Sequence, residues 1–135
     1  MKKSMLINSE ISYCISKLGH KDCIVVGDAG LPIPDGVKRI DLALSEGIPS
    51  FVEVLKAVLS EQKIEKIVLA EEIRTVSAKL HDEILSICRE AESELEIEYI
   101  PHEDFKNNTE NCKCVIRTGE FTPFANIILI SGVIF

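Results

Sequence analysis

The stretch "DCIVVGDAGLPIPDG", residues 22–36, carries the reading of the fold. Cys23, Ile24, Val25 and Val26 form an apolar run with no polar residue between them. A strand with one wet face alternates apolar and polar positions; a strand covered on both faces does not. The run therefore predicts a buried strand over residues 22–27. Asp28 to Gly36 holds two prolines and two glycines, which break both helical and strand periodicity and predict a loop. A doubly covered strand ending in a loop is the working unit of an α/β sheet.

The neighbouring segments repeat that unit. Upstream, Asn8 or Ser9 suits a helix N-cap, Ile11, Ile15 and Leu18 follow at helical spacing, and Gly19 is a stop signal. Downstream, "RIDLAL" (39–44) reads as a short strand with Ile40, Leu42 and Leu44 on one face. Pro49 and Ser50 open a second helix whose Phe51, Val54, Leu55, Val58 and Leu59 make an apolar stripe. "KIVLA" (66–70) is another continuous strand. Ser77 suits the cap of a third helix carrying Leu80, Ile84, Ile87 and Ala91. "LEIEYI" (95–100) alternates, a short helix follows Pro101, and "CVIRT" and "NIILISGV" are late strands close together in the chain. The expected fold is α/β: a single domain over residues 1–135, three-layer α/β/α, with a mixed, mostly parallel sheet whose late strands supply an antiparallel part.

Composition narrows the partners. The 135 residues carry a net charge of −7, with 46% hydrophobic and 27% charged residues. Such an acidic chain lacks the basic face that nucleic acid or an anionic membrane surface needs. A neutral polar ligand such as a sugar is compatible. After Lys2 and Lys3 the apolar stretch is only Met5 to Ile7, and "ANIILISGVIF" (125–135) is too short for a bilayer span, so a cytoplasmic protein is expected. Five cysteines without a CxxC spacing read as free thiols. Cys112 and Cys114 share one strand face, but no second His or Cys pair accompanies them, so no metal is expected. Neither a GxGxxG nor a P-loop nor a GxSxG motif is present.

The candidate site residues lie at element ends, and each has an ordinary reading beside the functional one. His20 follows Gly19 in a helix-to-strand turn and is either an acid/base or a residue favoured by the helix dipole. Asp28, at the carboxyl end of the first strand, is either a ligand carboxylate or a turn former. His102 stands at a strand end beside Glu103 and Asp104, a ligand position or the opening of a short helix. Asn126, in the loop "TGEFTPFAN" (118–126), offers a donor and an acceptor to a hydroxylated ligand or is a plain loop residue. Glu71 and Glu72 follow a strand and read as solvated acids or as a pair with one member facing a cleft, and His81 reads as a helix-surface residue. His20 and Asp28 are eight residues apart, up to roughly 26 Å at about 3.3 Å per extended residue. They share one site only through a sharp bend or through a second subunit, and the second route is the expected one.

Several motifs together resemble one family. "LGHKD", "DAGLPIP", "RIDLAL", "GIPSF", "LAEEI", "PHEDFK", "IRTGEFTPFAN" and the ending "GVIF" are similar to the ribose pyranase and fucose mutarotase family, in order along the whole chain. The resemblance implies an isomerase that interconverts pyranose and furanose forms of ribose, without metal or organic cofactor. It implies a homo-oligomer, commonly a decamer, with ribose or a related monosaccharide bound between subunits. Position by position it makes His20 the proton donor and Asp28, His102, Phe124, Ala125 and Asn126 the sugar-contacting positions. Phe124 departs from the family's usual Tyr, which removes a hydrogen bond of about 0.5–1.5 kcal/mol and leaves the sugar preference open. Two other readings stand beside this one: a fucose-type mutarotase, and a non-catalytic cytoplasmic sugar-binding protein.

Overall fold

Ile24, Val25 and Val26 are stiff, β-branched residues that pack well on a pleated surface. In the computed structural model, which describes residues 1–135, they form the middle of β1 (Cys23–Gly27). In chain order the other elements are α1 (Ser9–Ser16), β2 (Lys38–Asp41), α2 (Phe51–Leu59), β3 (Ile64–Ala70), α3 (Ile73–Val76), α4 (Ala78–Ala91), β4 (Glu96–Ile100), α5 (His102–Asn108), β5 (Cys114–Arg117) and β6 (Ile127–Ser131). The six strands make one sheet in the order β2-β5-β1-β6-β3-β4. All neighbouring pairs are parallel except those of β6, which runs antiparallel between β1 and β3. The sheet is thus mixed and mostly parallel. Its one antiparallel strand lies in the interior, so the carboxyl ends of β1, β3, β4 and β5 meet the start of β6.

Side chains alternate between two covered faces, which is why the strands read as continuous apolar runs. Ile24, Val26, Ile67, Leu69, Ile116, Ile127 and Leu129 face a large core shared with α1, α2, α3 and α4. Val25, Val68, Val115 and Ile128 face a smaller core closed by Phe105 of α5 and by Leu31 from the loop after β1. The three layers are present but unequal. The stripe on α2 is as expected, with Phe51, Val54, Leu55 and Val58 buried, each contributing about 1.5–3 kcal/mol of transfer free energy. Ser50 caps that helix through a reciprocal box with Glu53.

Two expected boundaries shift. The first helix ends at Ser16, ahead of Gly19, leaving Gly19 to Asp22 as a separate turn. "RIDLAL" keeps strand geometry only to Asp41; Leu44 is exposed and turns back toward Ile48 through a backbone bond. The third helix starts where expected, as α4, with the short α3 ahead of it and Ser77 between the two. The Ser77 hydroxyl makes no cap bond and instead donates to the Pro123 carbonyl at 2.7 Å. That bond ties α4 to the loop before β6.

The same loop is held at its other end by Gly119. Its N–H donates to the Pro49 carbonyl, and its carbonyl accepts from the Gly47 N–H. A Cβ there would meet the Ser45 carbonyl oxygen at 2.6 Å and the Ile48 carbonyl carbon at 2.7 Å, both backbone atoms that cannot swing away. Gly119→Ala is therefore expected to lower stability by about 1–3 kcal/mol, the usual cost of over-filling a packed site. Urea unfolding reads it as an earlier midpoint with an unchanged slope.

Candidate active site

Asp28 leaves β1 at its carboxyl end, beside Asn126 at the start of β6. The antiparallel register of β1 and β6 puts the two together. The Asp28 N–H donates to Asn126 Oδ1 at 2.9 Å, and Asn126 Nδ2 donates to Asp28 Oδ2 at 2.9 Å. Gly30 N–H donates to Asp28 Oδ1, also at 2.9 Å. Asn126 is fully buried, and Gly27 lacks a Cβ where one would stand 3.1 Å from its Oδ1. The carboxylate is thus fixed by two donors while lone pairs on both oxygens stay free for further donors. Asn126 thereby holds Asp28 in place. The Asp28 carboxylate lines an open hollow of about 460 Å³ with Gly30, Arg117, Glu120 and Phe121.

His102 and Phe124 form the second contact at this end. Phe124 meets the imidazole edge-on, with ring centroids 5.0 Å apart. His102 begins α5, and its backbone N–H donates to both carboxylate oxygens of Glu72 at 3.1 Å. Its Nδ1 is buried without a partner, an unmet polar atom of the kind that binding sites retain. Phe124 has a φ of +61°, a strained conformation for a bulky residue. The conformation is held by the Ser77–Pro123 bond and by the Asn126 N–H donating to the Phe124 carbonyl at 2.8 Å. Ala125, buried between them, joins the two contacts.

His20 lies at the opposite end of the sheet. The turn that carries it is closed by Asp22, whose carboxylate accepts from the Gly19 N–H at 2.9 Å. Lys21, at φ +71°, donates its N–H to the carbonyl of Ser131 at the far end of β6. The His20 ring is half exposed, and its Nε2 stands 2.9 Å from Glu65 Oε2 at the start of β3. Glu65 also pairs with the Lys21 ammonium. The bonds from Lys21 and then His20 hold its carboxyl below the usual range, so it is ionised at neutral pH. The arrangement is an imidazole oriented by a carboxylate and open to solvent, a suitable proton carrier.

One chain therefore brings Asp28, His102, Phe124, Ala125 and Asn126 to one end and leaves His20 at the other. β1 runs in regular register between them, without the bend that would let both ends share a ligand. Glu65, beside His20, gains a role that the sequence reading did not give it, and of the pair Glu71 and Glu72 it is Glu72 that lies beneath His102. Glu65 gave no local signal, because its partner is 45 positions away. His81 is also not a surface residue; its Nε2 is 2.6 Å from the Tyr99 hydroxyl and its side chain is mostly covered.

Comparison with known proteins decides the family. The model of the RbsD / FucU transport protein family matches residues 1–134. The chain belongs to that family. Among curated RbsD / FucU relatives, a protein of Maridesulfovibrio salexigens named D-ribose pyranase is 54% identical, with both chains covered in full. Another of the same name from Clostridium novyi is 51% identical, again over the whole of both. The structure of Bacillus subtilis RbsD complexed with D-ribose superposes with a TM-score of 0.88 at 46% identity, covering both chains completely. The fucose mutarotase of Streptococcus pneumoniae in complex with L-fucose shares the fold, with a TM-score of 0.81 at 23% identity over 100% of both chains. No helix of this RbsD / FucU chain is long and apolar enough to cross a membrane.

Proposed function

We propose that this chain is a D-ribose pyranase, an isomerase that opens and recloses the ribose ring between its pyranose and furanose forms. The observation that carries the reading is the full-length similarity, at 54% identity, to a protein of that name. The two half-sites supply the chemistry. A proton must leave the anomeric hydroxyl and another must reach the ring oxygen. The ring then opens to the aldehyde, and a different hydroxyl closes it. His20 carries the proton, and Glu65 holds the ring in place for it. Asp28, fixed by Asn126, and His102 bind sugar hydroxyls, while Phe124 covers an apolar sugar face.

His20 and Asp28 face opposite ends of one chain, so the reading requires a sugar held between neighbouring copies. A ring-like homo-oligomer, a decamer, in the cytoplasm satisfies that requirement. Exposed Met5, Ile7, Leu44, Ile48, Phe121, Ile134 and Phe135 supply apolar surface for such contacts. Sedimentation of the full chain is expected to give the mass of ten copies; a monomer that retains activity overturns the shared site.

Saturation-transfer NMR tests the activity. Added protein is expected to accelerate exchange between ribose ring forms. Faster exchange for fucose alone reassigns the sugar, and ribose binding without faster exchange removes the catalytic reading. Glu65→Gln tests the positioning role. It keeps the side-chain shape but removes the charge and is expected to slow exchange by up to about 10²-fold, the cost of a misplaced reacting group. Ribose binding by titration should be unchanged. An unaltered rate takes Glu65 out of the mechanism.

A further inference from the structure

Four of the five cysteines stand in two close pairs. Cys14 Sγ lies 3.0 Å from Cys114 Sγ, and Cys23 Sγ lies 3.0 Å from Cys112 Sγ. Cys88 is buried in the large core with no thiol beside it, and burial pushes it up to about 12. Cys14 differs from the rest in its surroundings. It is 9% exposed and lines a hollow of about 280 Å³ together with Lys17, Lys38, Lys113 and Asp22. Behind it Cys114, the first residue of β5, is fully buried. A thiol at the wall of a lysine-lined hollow with a second thiol at its back is the arrangement of a reactive cysteine and its resolving partner.

We propose that Cys14 and Cys114 form an oxidation site in which Cys14 reacts with a hydroperoxide and Cys114 closes a disulfide, locking α1 to β5. The Cys14 thiolate attacks one peroxide oxygen. The S–O bond forms as the O–O bond breaks, and the departing oxygen takes a proton and leaves as water or an alcohol. Cys114 then gives up its proton, and its sulfur attacks the Cys14 sulfenic acid. The S–S bond forms as the S–O bond breaks, and hydroxide takes the proton and leaves as water. The two thiols lose two electrons, and the peroxide gains them. Closing the bond brings the sulfurs from 3.0 Å to about 2.05 Å, a side-chain movement. The contact with Cys114, ahead of Lys38 and Lys17, lowers the Cys14 thiol to about 7, so a large share is thiolate at neutral pH.

The test uses the native full-length chain, reduced and then exposed to one equivalent of hydrogen peroxide at neutral pH. Remaining thiols are alkylated after unfolding and the peptides are mapped without reduction. The expected product is the Cys14–Cys114 linked peptide, a loss of about 2 Da per chain, with Cys88 recovered as an alkylated thiol. Cys114→Ser removes the resolving thiol and is expected to leave about tenfold more Cys14 sulfenic acid for trapping by dimedone. A native chain whose Cys14 is recovered fully as free thiol overturns the proposal, whether or not the variant folds. A link confined to Cys23 and Cys112 also overturns it.

Discussion

His20→Ala is expected to cut protein-accelerated exchange between ribose ring forms by about 10²–10⁴-fold, the usual contribution of a positioned acid/base. Nothing in the fold depends on the ring. Its side chain is half exposed, and its one polar partner, Glu65, keeps the Lys21 ammonium in its absence. The loss should therefore appear with an unchanged thermal midpoint and an unchanged assembly. Ring-exchange rates from saturation transfer, read beside sedimentation of the same sample, separate a chemical loss from a structural one. A variant that exchanges ribose as fast as the native chain removes His20 from the proton transfer.

The second large effect is a recovery. Asp28→Asn keeps the turn after β1 but loses the carboxylate, and is expected to be inactive alone, as is His20→Ala. When the two variants are unfolded together, mixed in equal amounts and refolded, sites arise that combine an intact His20 with an intact Asp28. If each site draws its two halves from different copies at random, about a quarter of the sites are complete. Activity is thus expected to rise from the background of either variant to about a quarter of the native value. A site built within one chain gives no recovery at any mixing ratio. This outcome follows from the placement of the two residues at opposite ends of β1, with Lys21 bonded to Ser131 and Asp28 bonded to Asn126 at the two ends of β6.

The legible parts of the sequence were those where one local property decides the structure. The unbroken run Cys23 to Val26 demanded cover on both faces, and the alternation of Val25 against Ile24 and Val26 between two cores is what that cover looks like. The stripe on residues 51–58 and the Ser50 cap were local in the same way. The separation of His20 from Asp28 needed only the rise of an extended chain. The insertion of β6 between β1 and β3 was not legible, because proximity in sequence places β6 beside β5 while long-range pairing places it elsewhere. Ser77 had the chemistry of a cap, and only the approach of Pro123 shows where its hydroxyl goes. Asn126 read as either a sugar contact or a plain loop residue; its buried bonds to Asp28 come from the sheet register. The roles of His20, Asp28, His102, Phe124, Ala125 and Asn126 belong to the proposed sugar site, which His20→Ala and Asp28→Asn probe from its two ends.

The unequal layers bear on how the molecule breathes. One face of the sheet is backed by four helices, α1 to α4, and the other by α5 and the loop after β1. Local opening starts where few apolar groups must be exposed, so amide exchange should be fastest on the thin side. Asp28 begins that loop and His102 begins that helix. The half-site they form therefore rides on the softest cover of an otherwise slow-exchanging sheet. Bound sugar should be felt there first, as protons that stop exchanging over residues 28–37 and 102–108 while the strands beneath them stay as they were.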